Sequence, residues 1–87
     1  MEFDYDPDKS ESNRQKHGID FVETQTLWQD PRHIIVPART TPEPRFALIA
    51  TRKRKVWTCI FTIRDSKVRI ISTRSARDGE EEGYYHR

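Results

Sequence analysis

Basic side chains are concentrated in the middle of this 87-residue chain. Between residues 31 and 77 there are twelve Lys and Arg residues and only two acids, Glu43 and Asp65, so this segment carries a formal charge of +10. The first thirty residues hold eight acids and three bases, and the last ten hold four acids and one base. The net charge of +2 therefore hides a segregation. A concentrated cationic surface of this kind binds polyanions, above all nucleic-acid phosphate.

The elements that position these cations are predicted to be strands. Residues 32–36 are expected to be extended, and three runs rich in β-forming residues follow at 45–52, 55–64 and 67–74. Tight turns at Lys53-Arg54 and Asp65-Ser66 would join the three runs into an antiparallel meander.

Strand alternation in this meander assigns the side chains to two faces. The face expected to form the core carries Phe46, Leu48, Ala50, Trp57, Cys59, Phe61, Ile63, Val68 and Ile70. The other, open face carries Ala47, Ile49, Ile60 and Ile71 in its middle, surrounded by Arg45, Thr58, Thr62, Arg64, Lys67, Arg69 and Thr73. In this register Arg45, Thr62 and Arg69 are cross-strand neighbours. Because two guanidinium groups in one row repel each other unless an anion or a carboxylate lies between them, we interpret the row as a phosphate site.

Two helices are predicted before the meander. Asp6-Pro7 is typical of an N-cap followed by Pro at the first helical position, and Gly18 offers a left-handed stop, which predicts a helix over residues 7–17. This helix has almost no apolar face, so caps and tertiary contacts through residues such as Asn13 and His17 must hold it. Asp20 and Glu23 have the spacing of a capping box, which predicts a second helix that ends before residue 30 and supplies apolar cover for the sheet.

These elements indicate one α+β domain over residues 1–87, with two N-terminal helices packed on an antiparallel β-sheet and a short C-terminal tail or helix. Residues 78–87 are acidic and are expected to form a mobile tail, on which Tyr84 and Tyr85 either stack on RNA or dock on the sheet. The single cysteine excludes an intrachain disulfide. The acidic N-terminus does not resemble a signal peptide and no apolar run reaches membrane-spanning length, so we expect a cytoplasmic protein with no membrane partner.

The order of several motifs closely resembles the BrnT family of bacterial type II toxins. They are Tyr5-Asp6, Lys16-His17-Gly18-Ile19, Phe21, Asp30-Pro31, Arg45-Phe46, Phe61-Thr62-Ile63-Arg64 and Arg69-Ile70-Ile71-Ser72-Thr73-Arg74-Ser75-Ala76-Arg77. The resemblance implies a RelE-like fold, RNA cleavage that blocks translation, and neutralisation by a small ribbon-helix-helix antitoxin, through which alone the toxin reaches operator DNA. Family members usually continue into a basic C-terminal helix, whereas this chain has two glycines and an acidic run at residues 78–83.

The resemblance places functional residues on positions of this chain. The family pattern falls on Lys16, His17, Gly18, Arg45, Thr62, Arg69, Ser72, Arg74 and Ala76. Metal-independent RNA cleavage needs a base for the 2′-hydroxyl, an acid for the leaving oxygen and cations over the phosphate. We therefore expect a catalytic set of His17, Lys16, Arg45, Arg69 and Arg74. Additional RNA contacts are expected from Arg52, Thr62, Arg64, Lys67 and Arg77, with no cofactor and no metal.

Structural roles compete with this functional interpretation. The arginines could cover the sheet with their aliphatic stems and pair with the N-terminal acids. His17, in the last turn before a glycine stop, could satisfy helix carbonyls. The rival function is a non-catalytic module whose basic face binds a partner or nucleic acid, so that the chain works as an antitoxin-bound co-repressor.

Overall fold

The computed structural model describes residues 1–38 and 42–86 of the chain. Within these residues it is an α+β structure of five strands and three α-helices. In chain order these are β1 (Phe3–Asp4), α1 (Pro7–His17), α2 (Phe21–Thr24), β2 (Ile34–Pro37), β3 (Phe46–Arg52), β4 (Lys55–Arg64), β5 (Lys67–Ser75) and α3 (Asp78–Tyr85). The strands form one sheet in the order β1-β5-β4-β3-β2.

The predicted meander of β3, β4 and β5 is confirmed. Its two turns have positive φ at Lys53 (52°), Arg54 (66°), Asp65 (53°) and Ser66 (64°), the backbone of a type I′ hairpin. The sheet is not wholly antiparallel, however, because β1 pairs in parallel with β5. The sequence did not predict β1, since a two-residue strand is too short to show a period.

Helix α1 has the predicted bounds and caps. The Asp6 side chain accepts a hydrogen bond from the Asp8 backbone N–H, and Gly18 ends the helix at φ 79°. The polar helix is held by Asn13, whose side-chain amide donates to the Thr73 carbonyl at 2.9 Å and accepts from the Thr73 N–H at 3.0 Å. The Asn13 side chain thus forms with the backbone of β5 two hydrogen bonds of the kind that a neighbouring strand would form.

The second predicted helix is present only in part. The capping box of Asp20 and Glu23 is formed, but α2 has four residues and continues as a 3₁₀-helix, Gln25–Gln29. Thr24 and Thr26 donate their hydroxyls to preceding carbonyls at 2.7 Å, which competes with regular α-helical geometry. Together with α3 at the other end of the chain, the helices are therefore not simply an N-terminal pair on a sheet.

A β-bulge interrupts the alternation of β5. Ile70 lies opposite Phe61 and Ser72 lies opposite Ile60, so Ile71 is the extra residue between the two pairs. An extra residue reverses the faces of all residues beyond it. The face assignments made from strict alternation are therefore wrong after Ile71.

Thr73 lies on a different face from the one predicted, and the burial of three other side chains differs from the prediction. Thr73, predicted on the open face, is fully buried on the core face, where its hydroxyl lies within hydrogen-bond distance of that of Thr24, at 2.9 Å. Ile63, predicted in the core, is 54% exposed because it lies beside the β4–β5 turn. Ala47 and Ile49, predicted on the open face, are buried. Ile49 belongs to a second apolar cluster on that face.

The C-terminal segment is helical, the second of the two alternatives expected for it. Tyr84 of α3 packs with Ile49 and Val56 in the second cluster, and its hydroxyl donates to Asp30 at 2.6 Å. Tyr84 thus docks on the sheet, whereas Tyr85 is exposed. The mobility of residues 78–87 in solution stays a prediction. No described helix has the length and apolar character needed to span a membrane.

Candidate active site

Two adjoining pockets lie where α1 runs beside β5. The larger, of about 190 Å³, is lined by Lys9, Ser12, Asn13, Lys16, His17, Ile71 and Ser72. The smaller, of about 90 Å³, is lined by Asp6, Lys9, Glu43, Arg45, Arg64, Arg69, Ile70 and Ile71. Because Lys9 and Ile71 line both, we treat the pockets as one feature, the α1–β5 groove.

Local structure explains why the groove forms at this place. The Asn13 amide fixes α1 against β5, and the bulge brings Ile71 into the wall of both pockets. Lys9, Asn13 and Lys16 are spaced four and three residues apart, so they lie on one side of the helix. The side chains of α1 that line the groove are thus those that face β5.

The predicted row of Arg45, Thr62 and Arg69 is present. Thr62 lies directly opposite Arg69, and Arg45 lies one residue before the pair formed by Phe46 and Phe61. Arg45 and Arg69 line the same pocket together with Arg64. The Thr62 hydroxyl, however, is buried and donates to the Pro44 carbonyl at 2.6 Å, so it orders the backbone next to Arg45.

Carboxylates partly neutralise this row. Arg69 donates to Asp4 at 2.8 Å, and Arg64 donates to Glu43 at 2.9 Å. The hydrogen bond from Arg69 holds the pKa of Asp4 below its usual value. The expectation that the arginines pair with N-terminal acids is therefore met for Arg69, and these pairs are surface interactions that an incoming anion can replace.

Positive charge remains in the groove after these pairs are counted. The Nε of Arg45 is buried and has no hydrogen-bond partner among the described residues. Lys9 and Lys16 form no ion pair within the described part of the chain. An unpaired guanidinium donor beside free ammonium groups favours binding of an oxyanion.

His17 lies at the exposed end of α1. The helix stop is made by the Gly18 N–H, which donates to the Arg14 carbonyl at 2.9 Å. The His17 ring itself makes no hydrogen bond to any described residue. The structural alternative, in which His17 satisfies helix carbonyls, is therefore not what the structure shows, and the imidazole is available for proton transfer.

Arg74 occupies a different environment from Arg69, although both lie on the open face of β5. It lies opposite Thr58 and donates to both carboxylate oxygens of Glu80, at 2.7 and 3.0 Å. These bonds, aided by one from the Arg77 N–H, outweigh burial and lower the pKa of Glu80 to about 2. Arg74 lines neither pocket of the groove.

The other predicted RNA contacts lie outside the groove. Arg52 is at the far end of the sheet, where it donates to Thr26 at 3.2 Å and Glu23 at 3.4 Å. Lys67 is exposed next to the β4–β5 turn, and Arg77 is exposed just before α3. The structure therefore brings together Lys16, His17, Arg45, Arg64 and Arg69, and leaves these three apart.

Several groove residues were not found from the sequence. They are Lys9 and Ser12 of α1 and the carboxylates of Asp6 and Glu43, and Asp4 lies beside the groove as the partner of Arg69. The seven-residue spacing of Lys9 and Lys16 was an available signal, because it places both lysines on one side of α1. The carboxylates gave no such signal, because they come from segments distant in sequence from the arginines they meet.

Metal and thiol chemistry have no evident site in the described residues. Among residues 1–38 and 42–86, no three His, Cys, Asp or Glu side chains lie together in a way that could hold a metal ion. Burial raises the pKa of the Cys59 thiol to about 12, so it is not a nucleophile at neutral pH. The groups that can do chemistry in the groove are cations and an imidazole.

A comparison with known protein families identifies the family of this chain. The family described as the ribonuclease toxin, BrnT, of type II toxin-antitoxin systems matches residues 5–80. This chain belongs to the BrnT family. No curated protein matches it. Membership makes RNA the substrate class and an antitoxin the partner. The matched region contains every residue that lines the groove, but it ends at Glu80 and so excludes Tyr84.

Proposed function

We propose that this BrnT toxin is a metal-independent, RelE-like endoribonuclease that cleaves RNA in the α1–β5 groove and so inhibits translation and growth in the cytoplasm. The main support for the proposal is one observation. His17, the candidate proton-transfer group, and Arg45, Arg64 and Arg69, the candidate phosphate-binding groups, line two pockets that share a wall. RNA lying in the groove would present a phosphate to the arginines and a neighbouring ribose to the imidazole.

The proposed reaction uses side chains of the groove and solvent water. The 2′-oxygen of a ribose attacks the adjacent phosphorus, the bond from phosphorus to the 5′-oxygen breaks, and the products end in a 2′,3′-cyclic phosphate and a 5′-hydroxyl. His17 either takes the proton of the 2′-hydroxyl or gives a proton to the leaving 5′-oxygen, and water completes the other proton transfer. Arg45 and Arg69 stabilise the charge that develops on the phosphate oxygens.

The ion pair of Arg69 with Asp4 must be exchanged during binding. Asp4 is 43% exposed in its side chain, so the pair lies in a high-dielectric environment and is weak. A phosphate that also contacts Arg45 gains hydrogen bonds from two guanidinium groups. In this proposal Asp4 is hydrogen-bonded to Arg69 in the free toxin, and RNA displaces it.

The proposal is tested with purified toxin, a defined single-stranded RNA and excess chelator. We expect wild-type toxin to produce 2′,3′-cyclic phosphate ends, and His17→Ala to reduce the rate by about 10²–10⁴-fold, the range for losing a general acid or base. If the RNA is bound but stays intact, with and without ribosomes, the protein is the non-catalytic module considered above. Cleavage that starts only when a divalent metal is added would contradict the metal-independent mechanism.

The antitoxin is proposed to be a ribbon-helix-helix protein that neutralises the toxin by covering the groove. The motivation is charge, because an acidic segment could replace RNA over Lys16, Arg45 and Arg69. Contact with operator DNA would then occur only through the antitoxin. We expect the association rate of the two proteins to fall steeply with salt. A rate that is unchanged between low and high salt, or a complex that still cleaves RNA, would contradict groove coverage.

A further inference from the structure

Lys9 lines both pockets of the α1–β5 groove, which is true of no other described cationic residue. We infer that Lys9 binds the RNA phosphate that joins two consecutive nucleotides in the groove, and that the substrate is a single strand that spans both pockets. The inference rests on the proposed function, which it deepens by naming a further RNA-binding residue and the minimum substrate.

The position of Lys9 supports a phosphate contact. Its side chain is exposed, and it forms no ion pair or hydrogen bond within the described part of the chain. The neighbouring Asp6 side chain already accepts a hydrogen bond from the Asp8 N–H as the N-cap of α1. The ammonium group of Lys9 is therefore available to an anion between the helix and the sheet.

The two sides of the groove complement each other. Arg45 and Arg69 approach from the sheet, whereas Lys9 approaches from α1. A phosphate in the smaller pocket would thus meet cations from both sides. Because the same lysine also borders the larger pocket, it lies at the step from one nucleotide to the next.

The length of the groove indicates more than one nucleotide. Lys9 and Lys16 are seven residues apart on α1, which corresponds to about 10 Å along a helix axis. Successive phosphates of a stacked strand are about 3.4 Å apart along the axis. The distance between the two lysines thus corresponds to about three such steps, so phosphates that contact Lys9 and Lys16 belong to different nucleotides and the strand contains at least two.

The experiment compares Lys9→Ala with Lys53→Ala. Lys53 is an exposed lysine in the β3–β4 turn and lines neither pocket, so both variants lose one positive charge but only the first loses a groove contact. Binding is measured with a 2′-O-methyl RNA, which lacks the attacking hydroxyl, as a function of salt, and kcat/KM is measured with unmodified RNA. Thermal melting checks that both variants fold. We expect Lys9→Ala to fold because position 9 is exposed and Ala has a high helix propensity.

We expect Lys9→Ala to weaken binding about tenfold and to reduce the salt slope by about 0.7, the value for one phosphate contact to a single strand. Lys9→Arg, which keeps the charge, should retain most of the affinity. Lys53→Ala should differ from wild type by less than about twofold, as expected for an exposed charge away from the groove. For a mononucleotide, which cannot span the groove, the affinity should be lower than for the strand.

Equal effects of Lys9→Ala and Lys53→Ala in a wild-type protein that cleaves RNA would overturn the inference and leave the proposed function standing. Loss of binding in Lys9→Arg equal to that in Lys9→Ala would also overturn it, because charge would not be the property that matters. A wild-type protein that neither binds nor cleaves RNA would instead overturn the proposed function itself.

Discussion

The open face of the sheet has two halves, in which the arginines form ion pairs with carboxylates of different exposure. In the groove half, Arg69 pairs with Asp4, whose side chain is 43% exposed. In the half covered by α3, Arg74 pairs through two hydrogen bonds with Glu80, whose side chain is 24% exposed. Both arginines come from β5 and lie on the same face. What distinguishes them is the element that supplies the carboxylate.

The difference explains how an acidic C-terminus fits a basic toxin. Helix α3 brings Glu80 to Arg74 and Thr58, and Tyr84 to Asp30, so that it covers its own half of the face. Among the described residues, the groove half is bordered by α1, by the short β1 and by the carboxylates of Asp4 and Glu43, and α3 does not line it. The acidic segment therefore pairs with Arg74 in one half of the face and leaves uncovered the groove half, where we propose that RNA binds.

The most demanding experiment removes Arg69 from the groove half and, as a control, an arginine that lines neither pocket. Arg69→Ala should lower RNA cleavage by about 100-fold or more, the effect of losing one donor to a developing oxyanion. Stability should change by less than about 1 kcal/mol, because the Arg69 ion pair is a surface interaction. Arg52→Ala, which removes an arginine paired with Glu23 outside the groove, should keep cleavage within about twofold.

A neighbouring residue supplies a second control for that prediction. Ile70→Ala removes a core side chain that is 2% exposed, and it should destabilise the fold by about 2–5 kcal/mol. Cleavage per folded molecule should be retained. If Arg69→Ala instead unfolds the protein, or if Arg52→Ala loses as much activity, the groove half is not the functional half.

A substitution in the half covered by α3 should lower the free energy of unfolding and leave RNA cleavage unchanged. Asp30 accepts hydrogen bonds from the Arg32 N–H, from the N–H and hydroxyl of Thr51, and from Tyr84. Asp30→Ala leaves these donors unpaired and should lower the free energy of unfolding by about 2–3 kcal/mol. Urea unfolding measures this loss, and RNA cleavage at a temperature where the variant is folded should match wild type. If the folded Asp30→Ala variant cleaves RNA more slowly than wild type under those conditions, α3 takes part in catalysis.

Acid should weaken the docking of α3 on the sheet. Burial opposes ionisation of Asp30, but hydrogen bonds from Thr51, Tyr84 and Arg32 lower its pKa from 3.8 to about 2. Arg74 lowers the pKa of Glu80 from 4.5 to about 2. Because both values are depressed in the folded state, the stabilisation is complete above about pH 4.5 and is lost as the pH falls to about 2.

We expect the free energy of unfolding to drop by about 1–3 kcal/mol over this range, after allowance for partial exposure. Glu80→Gln should reduce the drop, as measured by thermal melting at pH 5, 4, 3 and about 2. A pH dependence that is identical in wild type and Glu80→Gln would show that this ion pair does not couple to folding.

The smallest expected effect concerns RNA affinity. Glu80→Gln frees the charge of Arg74 at one end of the open face, and RNA binding should strengthen by about two- to fivefold at low salt. The double variant Glu80→Gln with Arg74→Ala should lose this gain. If both bind RNA as wild type does, Arg74 is a structural partner of α3, and its place in the catalytic set expected from the sequence must be withdrawn.

Local signals in the sequence were sufficient for much of the groove. The caps at Asp6 and Gly18 define α1, and the two tight turns set the register that places Thr62 opposite Arg69. These features depend on neighbours in sequence, so periodicity and turn chemistry could reveal them. The arginine row followed directly from that register.

The features that were missed depend on distant residues. The bulge at Ile71 reverses the faces of the later part of β5. Helix α3 contains two glycines and is held by a contact between Tyr84 and Asp30, which are 54 residues apart. No local propensity reports such contacts, which is why the sequence left open whether this segment is a tail or a helix and whether its tyrosines dock on the sheet.

The most direct test of the central claim is an NMR titration of labelled wild-type toxin with a 2′-O-methyl RNA. We expect the amides that shift to be those of the groove, including Lys9, His17, Arg69 and Ile71, while those of Glu80 and Tyr84 stay in place. Shifts concentrated on α3, with the groove amides unchanged, would contradict the claim that the uncovered half of the face holds the RNA.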